Sequence, residues 1–122
     1  MSERRYTVEE ANELLPALEE MLERLRDAQR VMAERHDEVM DATATNGGGG
    51  AGKEYLEASQ EAGRVNAELE RLDILVRDPE SGLIDFPAER GGEEIFLCWR
   101  LGEDAVAWWH PTDTGFAGRQ PL

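Results

Sequence analysis

The sequence predicts an α+β chain: a long antiparallel helical hairpin, then a three-stranded antiparallel β-meander and an irregular C-terminal tail. Three observations carry that prediction. Apolar residues recur at helical spacing over most of residues 7–77. Beyond residue 78 the period shortens, and this stretch holds all three Trp, all three Phe and four of the five Pro. A glycine-rich segment separates two helical stripes, which suits two helices folded back on each other. At 122 residues the chain is one domain, 1–122, made of the hairpin over 7–77 and the meander and tail over 82–122.

The first helix opens on a capping box, Thr7-Val8-Glu9-Glu10. The Thr7 hydroxyl can accept from the Glu10 N–H while the Glu10 carboxylate reaches back to the Thr7 N–H. Ala11, Leu14, Leu18, Met21, Leu25, Ala28, Met32 and Val39 follow at spacings of three, four or seven, which predicts a helix of about thirty residues. Pro16 lies inside it and predicts a kink, since it removes one hydrogen bond of the ladder. Residues 41–52 read as a flexible linker. A second stripe runs through Tyr55, Ala58, Ala62, Val65, Leu69, Leu72 and Val76, and Asp78-Pro79 is expected to end it.

Three strands are expected: a short one over 82–87, then 93–100 and 105–110. Gly102 and Glu103 suit a two-residue hairpin loop, with Gly102 supplying positive φ. That register sets Trp99 opposite Val106, Leu97 opposite Trp108 and Ile95 opposite His110. One face then holds Ile95, Leu97, Trp99, Val106, Trp108 and His110; the other holds Phe96, Cys98, Arg100, Ala105, Ala107 and Trp109. Neither face is polar, so both need cover. The helices cover one. The tail around Phe116 or a second copy covers the other, and on this ground a homodimer is expected.

The composition excludes several classes of function. There are 27 Asp+Glu against 13 Lys+Arg, for a net charge of −14. Residues 1–77 hold 18 acids and 10 bases, and residues 78–122 hold 9 and 3, so no basic arm exists. Nucleic acid and anionic membrane surfaces are therefore not expected partners. No apolar run approaches a membrane span and no signal-peptide pattern opens the chain. A single cysteine, Cys98, excludes an internal disulfide and fits a reducing cytoplasm. Twelve of the thirteen bases are Arg, scattered through the acidic helices as solvated ion pairs.

Candidate chemistry is sparse. Gly47 to Lys53 matches the first seven positions of a phosphate-binding loop. The eighth is Glu54 where a Ser or Thr hydroxyl is needed, and no strand precedes it, so a linker is the better reading. His36 lacks the Glu-x-x-His spacing of a diiron helix and reads as surface. Cys98 reads as a buried small hydrophobe, on the face opposite His110 in the expected register. The strongest stretch is 109–121. His110 at a strand end, with Asp113 three residues on and Glu103 or Asp85 as further ligands, would suit a divalent metal. The same residues could orient His110 as a general base, or pin the tail through Arg119. Trp99 and Arg119 are candidate ligand-binding residues.

Several of these motifs together resemble a family of small bacterial proteins catalogued as domain of unknown function 2203. The resemblance runs through Tyr6 to Asn12, Leu14-Leu15-Pro16, Gly82 to Pro87, Leu97 to Glu103, Trp109-His110 and Gly115 to Pro121. It implies a stand-alone bacterial protein and brings no activity with it. It marks Asp85, Cys98, Trp99, Glu103, His110, Gly118 and Arg119 as motif positions.

Two functional readings follow. The first is a cytoplasmic, homodimeric interaction or structural module that meets a second copy or a protein partner through the helical hairpin. The alternative is a metal- or small-ligand-binding protein, or a small enzyme, with a site around His110, Glu103, Asp85 and Asp113.

Overall fold

The computed structural model describes residues 4–45 and 51–122. Helix α1 spans Val8–Thr45 and α2 spans Ala51–Arg71. A five-stranded antiparallel sheet follows: β1 (Leu75–Asp78), β2 (Leu83–Arg90), β3 (Glu93–Arg100), β4 (Trp108–Pro111) and β5 (Gln120–Pro121). Its spatial order is the chain order, so every neighbour in the sheet is a neighbour in sequence. The α+β class holds, and the three-stranded meander is corrected to five strands. The two added strands lie at the edges: β1 in sequence expected to be helix, β5 in sequence expected to be irregular tail.

The helix start is as expected. The Thr7 N–H donates to Glu10 Oε1 at 2.9 Å, and the Glu10 N–H donates to Thr7 Oγ1 at 3.1 Å. Pro16 lies within α1 without ending it. Of the expected 41–52 linker, residues 41–45 and 51–52 are helical; residues 46–50, with most of the glycine run, lie outside the described residues.

The end of α2 differs from expectation. It stops at Arg71, seven residues before Asp78. Asp73 takes φ 60°, the Ile74 N–H donates to the Leu69 carbonyl, and the Asp73 N–H donates to the Glu70 carbonyl. This is a Schellman stop, with buried Leu69 and Ile74 as its apolar pair. Its left-handed residue is Asp rather than Gly, so no glycine flags it in the sequence.

Tight turns connect the first strands. Gly91 and Gly92 both have positive φ (60° and 83°) and join Arg90 to its partner Glu93 in a two-residue hairpin. This carries β2 three residues past the expected end at Pro87. Gly82 (φ 71°) closes the β1–β2 turn, and a Cβ there would lie 2.5 Å from Leu101 Cβ.

The link from β3 to β4 corrects the expected register. Residues 101–107 form a long connection, and β4 starts at Trp108. Gly102 keeps its positive φ (104°), but the peptide groups of the loop are used elsewhere. The Trp99 indole N–H donates to the Glu103 carbonyl, and the Val106 N–H donates to Asn12 Oδ1. Val106 turns into the core instead of pairing in a strand. Observed partners are Phe96 with His110, Leu97 with Trp109, and Cys98 with Trp108. That is a slip of one residue, and a slip of one moves β4 side chains to the opposite face.

One face of the sheet belongs to the helices. Ile84, Phe86 and Ala88 pair with Trp99, Leu97 and Ile95, and all six join Leu15, Leu18, Leu22, Leu25, Val65 and Leu69 in one core. Burying each large side chain there contributes roughly 1.5–3 kcal/mol. Tyr6 ties the chain start to this core. Its N–H bonds the Pro87 carbonyl, its hydroxyl bonds the Leu72 carbonyl at 2.6 Å, and its ring meets Phe86 edge-on. The tail lies beside the other face. A 3₁₀ turn (Phe116–Gly118) leads to β5, which pairs with β4. The second sheet face thus has cover from within its own chain.

Candidate metal centre

Three adjacent strands each bring one ligand-type side chain to the tail-side face. Asp85 comes from β2, Cys98 from β3 and His110 from β4. Asp85 and Cys98 are direct cross-strand partners; His110, opposite Phe96, is the diagonal neighbour of Cys98. One potential ligand atom of each lies within 4.8 Å of the other two. All three residues are 1% exposed. Among the described residues no other group of three His, Cys, Asp or Glu is placed in this way.

Ionisable groups buried to this degree need partners. His110 Nδ1 lies 2.8 Å from the Pro111 carbonyl oxygen, which can only accept, so Nδ1 carries a hydrogen. The other ring nitrogen, Nε2, lies 3.0 Å from Asp85 Oδ2. A bare nitrogen lone pair and a carboxylate oxygen repel at that distance. A proton or a metal ion is therefore required between them. Arg77 Nε also donates to Oδ2, at 2.8 Å. Asp85 Oδ1 is buried and accepts no hydrogen bond of normal geometry.

Burial, and after it the negative charge of Asp85, pushes the Cys98 thiol up to about 11. Arg119 opposes that shift, with Nη1 3.9 Å from Sγ. Arg119 itself is clamped. It makes two bonds to Glu103, at 3.1 and 2.7 Å, and its guanidinium lies over the rings of Trp108 and Phe116 at 4.7 and 4.3 Å. Burial resists ionisation of Glu103. Arg119 and the Arg100 N–H outweigh it and hold the carboxyl below the usual range.

A cleft of about 330 Å³ reaches this cluster, lined by Asp85, Cys98, Arg77, Leu83 and residues 112–116. Three larger hollows lie elsewhere: one of about 550 Å³ at Arg4 and Asp73, one of about 550 Å³ between the helices at Ala28 and Ala58, and one of about 440 Å³ at Met21 and Arg71. Among the described residues none of them contains a cluster of ligating side chains, so chemistry rather than size singles out the smaller cleft.

Of the sequence-derived metal ligands, the structure brings together Asp85 and His110. Asp113 lies in the loop lining the cleft and is exposed. Glu103 is turned to Arg119 with both carboxylate oxygens. Trp99 is fully buried on the helix side of the sheet, and its only polar atom is used by Glu103. Arg119 borders the cluster through Cys98. His36 is exposed on α1. Sequence reasoning missed two residues, Cys98 as a potential ligand and Arg77 as the partner of Asp85. The one-residue slip hid Cys98, because the expected register set it across the sheet from His110. Arg77 was hidden because its segment read as helix.

The class defined here is a small α+β protein, a helical hairpin on a five-stranded meander, with a buried Asp–Cys–His cluster on the face away from the helices. The chain belongs to the family of uncharacterised conserved proteins DUF2203, whose model matches residues 4–122. No curated protein and no solved structure matches it. Among the described residues no helix is long and apolar enough to cross a membrane.

Proposed function

We propose that the chain is a small metal-binding protein centred on Asp85, Cys98 and His110. The observation that carries this reading is the convergence of three buried ligand atoms within 4.8 Å, beside a buried carboxylate oxygen, Asp85 Oδ1, that accepts no hydrogen bond of normal geometry. A thiolate, an imidazole and a carboxylate are the donor types of zinc-like sites. The outer contacts agree. His110 holds its ring with Nδ1–H on a backbone carbonyl, and Asp85 is steadied by Arg77, as metal-bound His and carboxylate ligands commonly are. Three protein ligands leave a fourth position open. A metal thiolate also suits the reducing cytoplasm expected from the single cysteine.

Metal analysis of the purified chain after dialysis against Zn²⁺ tests this. One metal per chain is expected, lost in Cys98→Ser and His110→Ala and kept in Glu103→Gln. Equal metal content in the wild type and both ligand variants would sink the reading.

An oligomeric or partner-binding role for the hairpin is a second reading. Its support is Met40 and Leu56, apolar side chains each 56% exposed on the helices. Light scattering decides it: a monomer at micromolar concentration removes the homodimer.

A further inference from the structure

Arg77 has more hydrogen-bonding capacity than the cluster uses. Its Nε is given to Asp85, and its guanidinium lies 5.1 Å from the centre of the Phe96 ring. Neither terminal amino group donates to any group among the described residues, and the side chain is 44% exposed. The same cleft holds Asp85 and Cys98 together with two apolar side chains, Leu83 and Phe116. A guanidinium with two uncommitted amino groups, two of the three proposed metal ligands and an apolar lining thus share one small space.

We infer that this cleft takes a small organic carboxylate; the inference rests on the metal centre proposed above. One carboxylate oxygen displaces water from the open metal position. The other faces the free amino groups of Arg77, and a short apolar body packs against Leu83 and Phe116. The planar guanidinium matches a planar carboxylate. A dianionic phosphate fits less well, because Asp113 lines the cleft and the chain carries a net charge of −14. A volume of about 330 Å³ is at the small end for ligand pockets and limits the size of the body.

The test uses the full chain loaded with Co²⁺, whose thiolate absorption reports the metal centre and whose visible bands report the open position. Phenylacetate is expected to change the visible bands saturably, and inorganic phosphate to do so more weakly. Arg77→Gln is expected to weaken phenylacetate about tenfold with the thiolate absorption unchanged, and Arg77→Lys to recover part of the loss. If Arg77→Gln releases the cobalt, Phe116→Ala carries the test, since Phe116 is 40% exposed and its removal spares the core. Bands indifferent to phenylacetate, phosphate binding as tightly, or equal affinity in the informative variant would overturn the inference and leave the metal centre standing. Absence of thiolate-to-cobalt absorption in the wild type would overturn both.

Discussion

The two faces of the sheet bury different side chains under different cover. Toward the helices lie Ile84, Phe86, Ala88, Ile95, Leu97 and Trp99, an apolar layer under two long helices. Toward the tail lie Asp85, Cys98 and His110, equally inaccessible. The first face is explained by stability alone, since apolar area removed from water favours the fold. The second is not. Ionisable side chains withdrawn from water stabilise little, and a buried oxygen without a hydrogen bond of normal geometry, such as Asp85 Oδ1, costs free energy. Apolar burial alone therefore does not account for the cluster, and a buried thiol pushed up as Cys98 is belongs to the kind of group enriched at functional sites.

The comparison breaks most sharply through large side chains. Trp99→Ala is expected to destabilise by about 3–5 kcal/mol, because it empties the centre of the helix-side layer. His110→Ala, also fully buried, is expected to cost only about 1–3 kcal/mol in the metal-free protein, because it removes an ionisable group along with its contacts. Denaturant unfolding of the two variants measures both. Equal losses would mean that the faces do not differ in kind.

Gly82→Ala should fall between them. It forces a left-handed backbone on a residue with a Cβ, worth about 1–3 kcal/mol, and drives that Cβ into Leu101. Both faces depend on this turn, so thermal stability and metal binding should decline together. Metal binding lost at unchanged thermal stability would show that the turn acts on one face only.

The helix-side face was largely legible in the sequence and the tail-side face was not, for a physical reason. Helical stripes repeat many times, so an error at one position leaves the pattern standing. The capping box at Thr7 and the positive φ of Gly102 are local signals and are present as expected. Strand register has no such redundancy. Whether Cys98 joins His110 depends on the 101–107 connection, and that is set by Trp99 and Asn12 capturing the loop's peptide groups. Such long-range hydrogen bonds leave no periodic trace. The β1 strand was missed likewise, because Asp73 ends α2 without a glycine. Asp85 and His110 were both named from the sequence, but their direct contact was not, and Cys98 was set aside.

The alkaline range sharpens the comparison further. A thiol that ionises at 9.0 when unfolded keeps its proton to about 11 in the fold, mainly because of burial. The proton is thus held more tightly by the folded chain. Stability from this source is complete below pH 9.0 and is lost as pH rises toward 11. The decline should be on the order of 2 kcal/mol in metal-free protein and absent from Cys98→Ala. Parallel pH dependence of unfolding in the two proteins would contradict the burial that places Cys98 in the cluster.

The smallest effect concerns the clamp beside the cluster. Glu103 receives two bonds from Arg119 and one from the Arg100 N–H, and these hold its carboxyl below the ordinary 4.5. A depressed carboxyl contributes stability above its unfolded value and loses it as pH falls through the folded one. The clamp should therefore be intact at neutral pH and weaken only below about pH 4.5. Glu103→Gln removes the charge but keeps one acceptor, so the expected cost at pH 7 is about 1 kcal/mol, vanishing in acid. What matters for the comparison is where that loss is felt. Arg119 touches Trp108, Phe116 and Cys98, all on the tail side, and its clamp crosses to no helix. Hydrogen exchange should therefore speed up at the 3₁₀ turn and β5 while the amides of α1 and α2 stay protected. Faster exchange in the helices would show the two faces to be one cooperative unit, with the tail an integral layer of the fold.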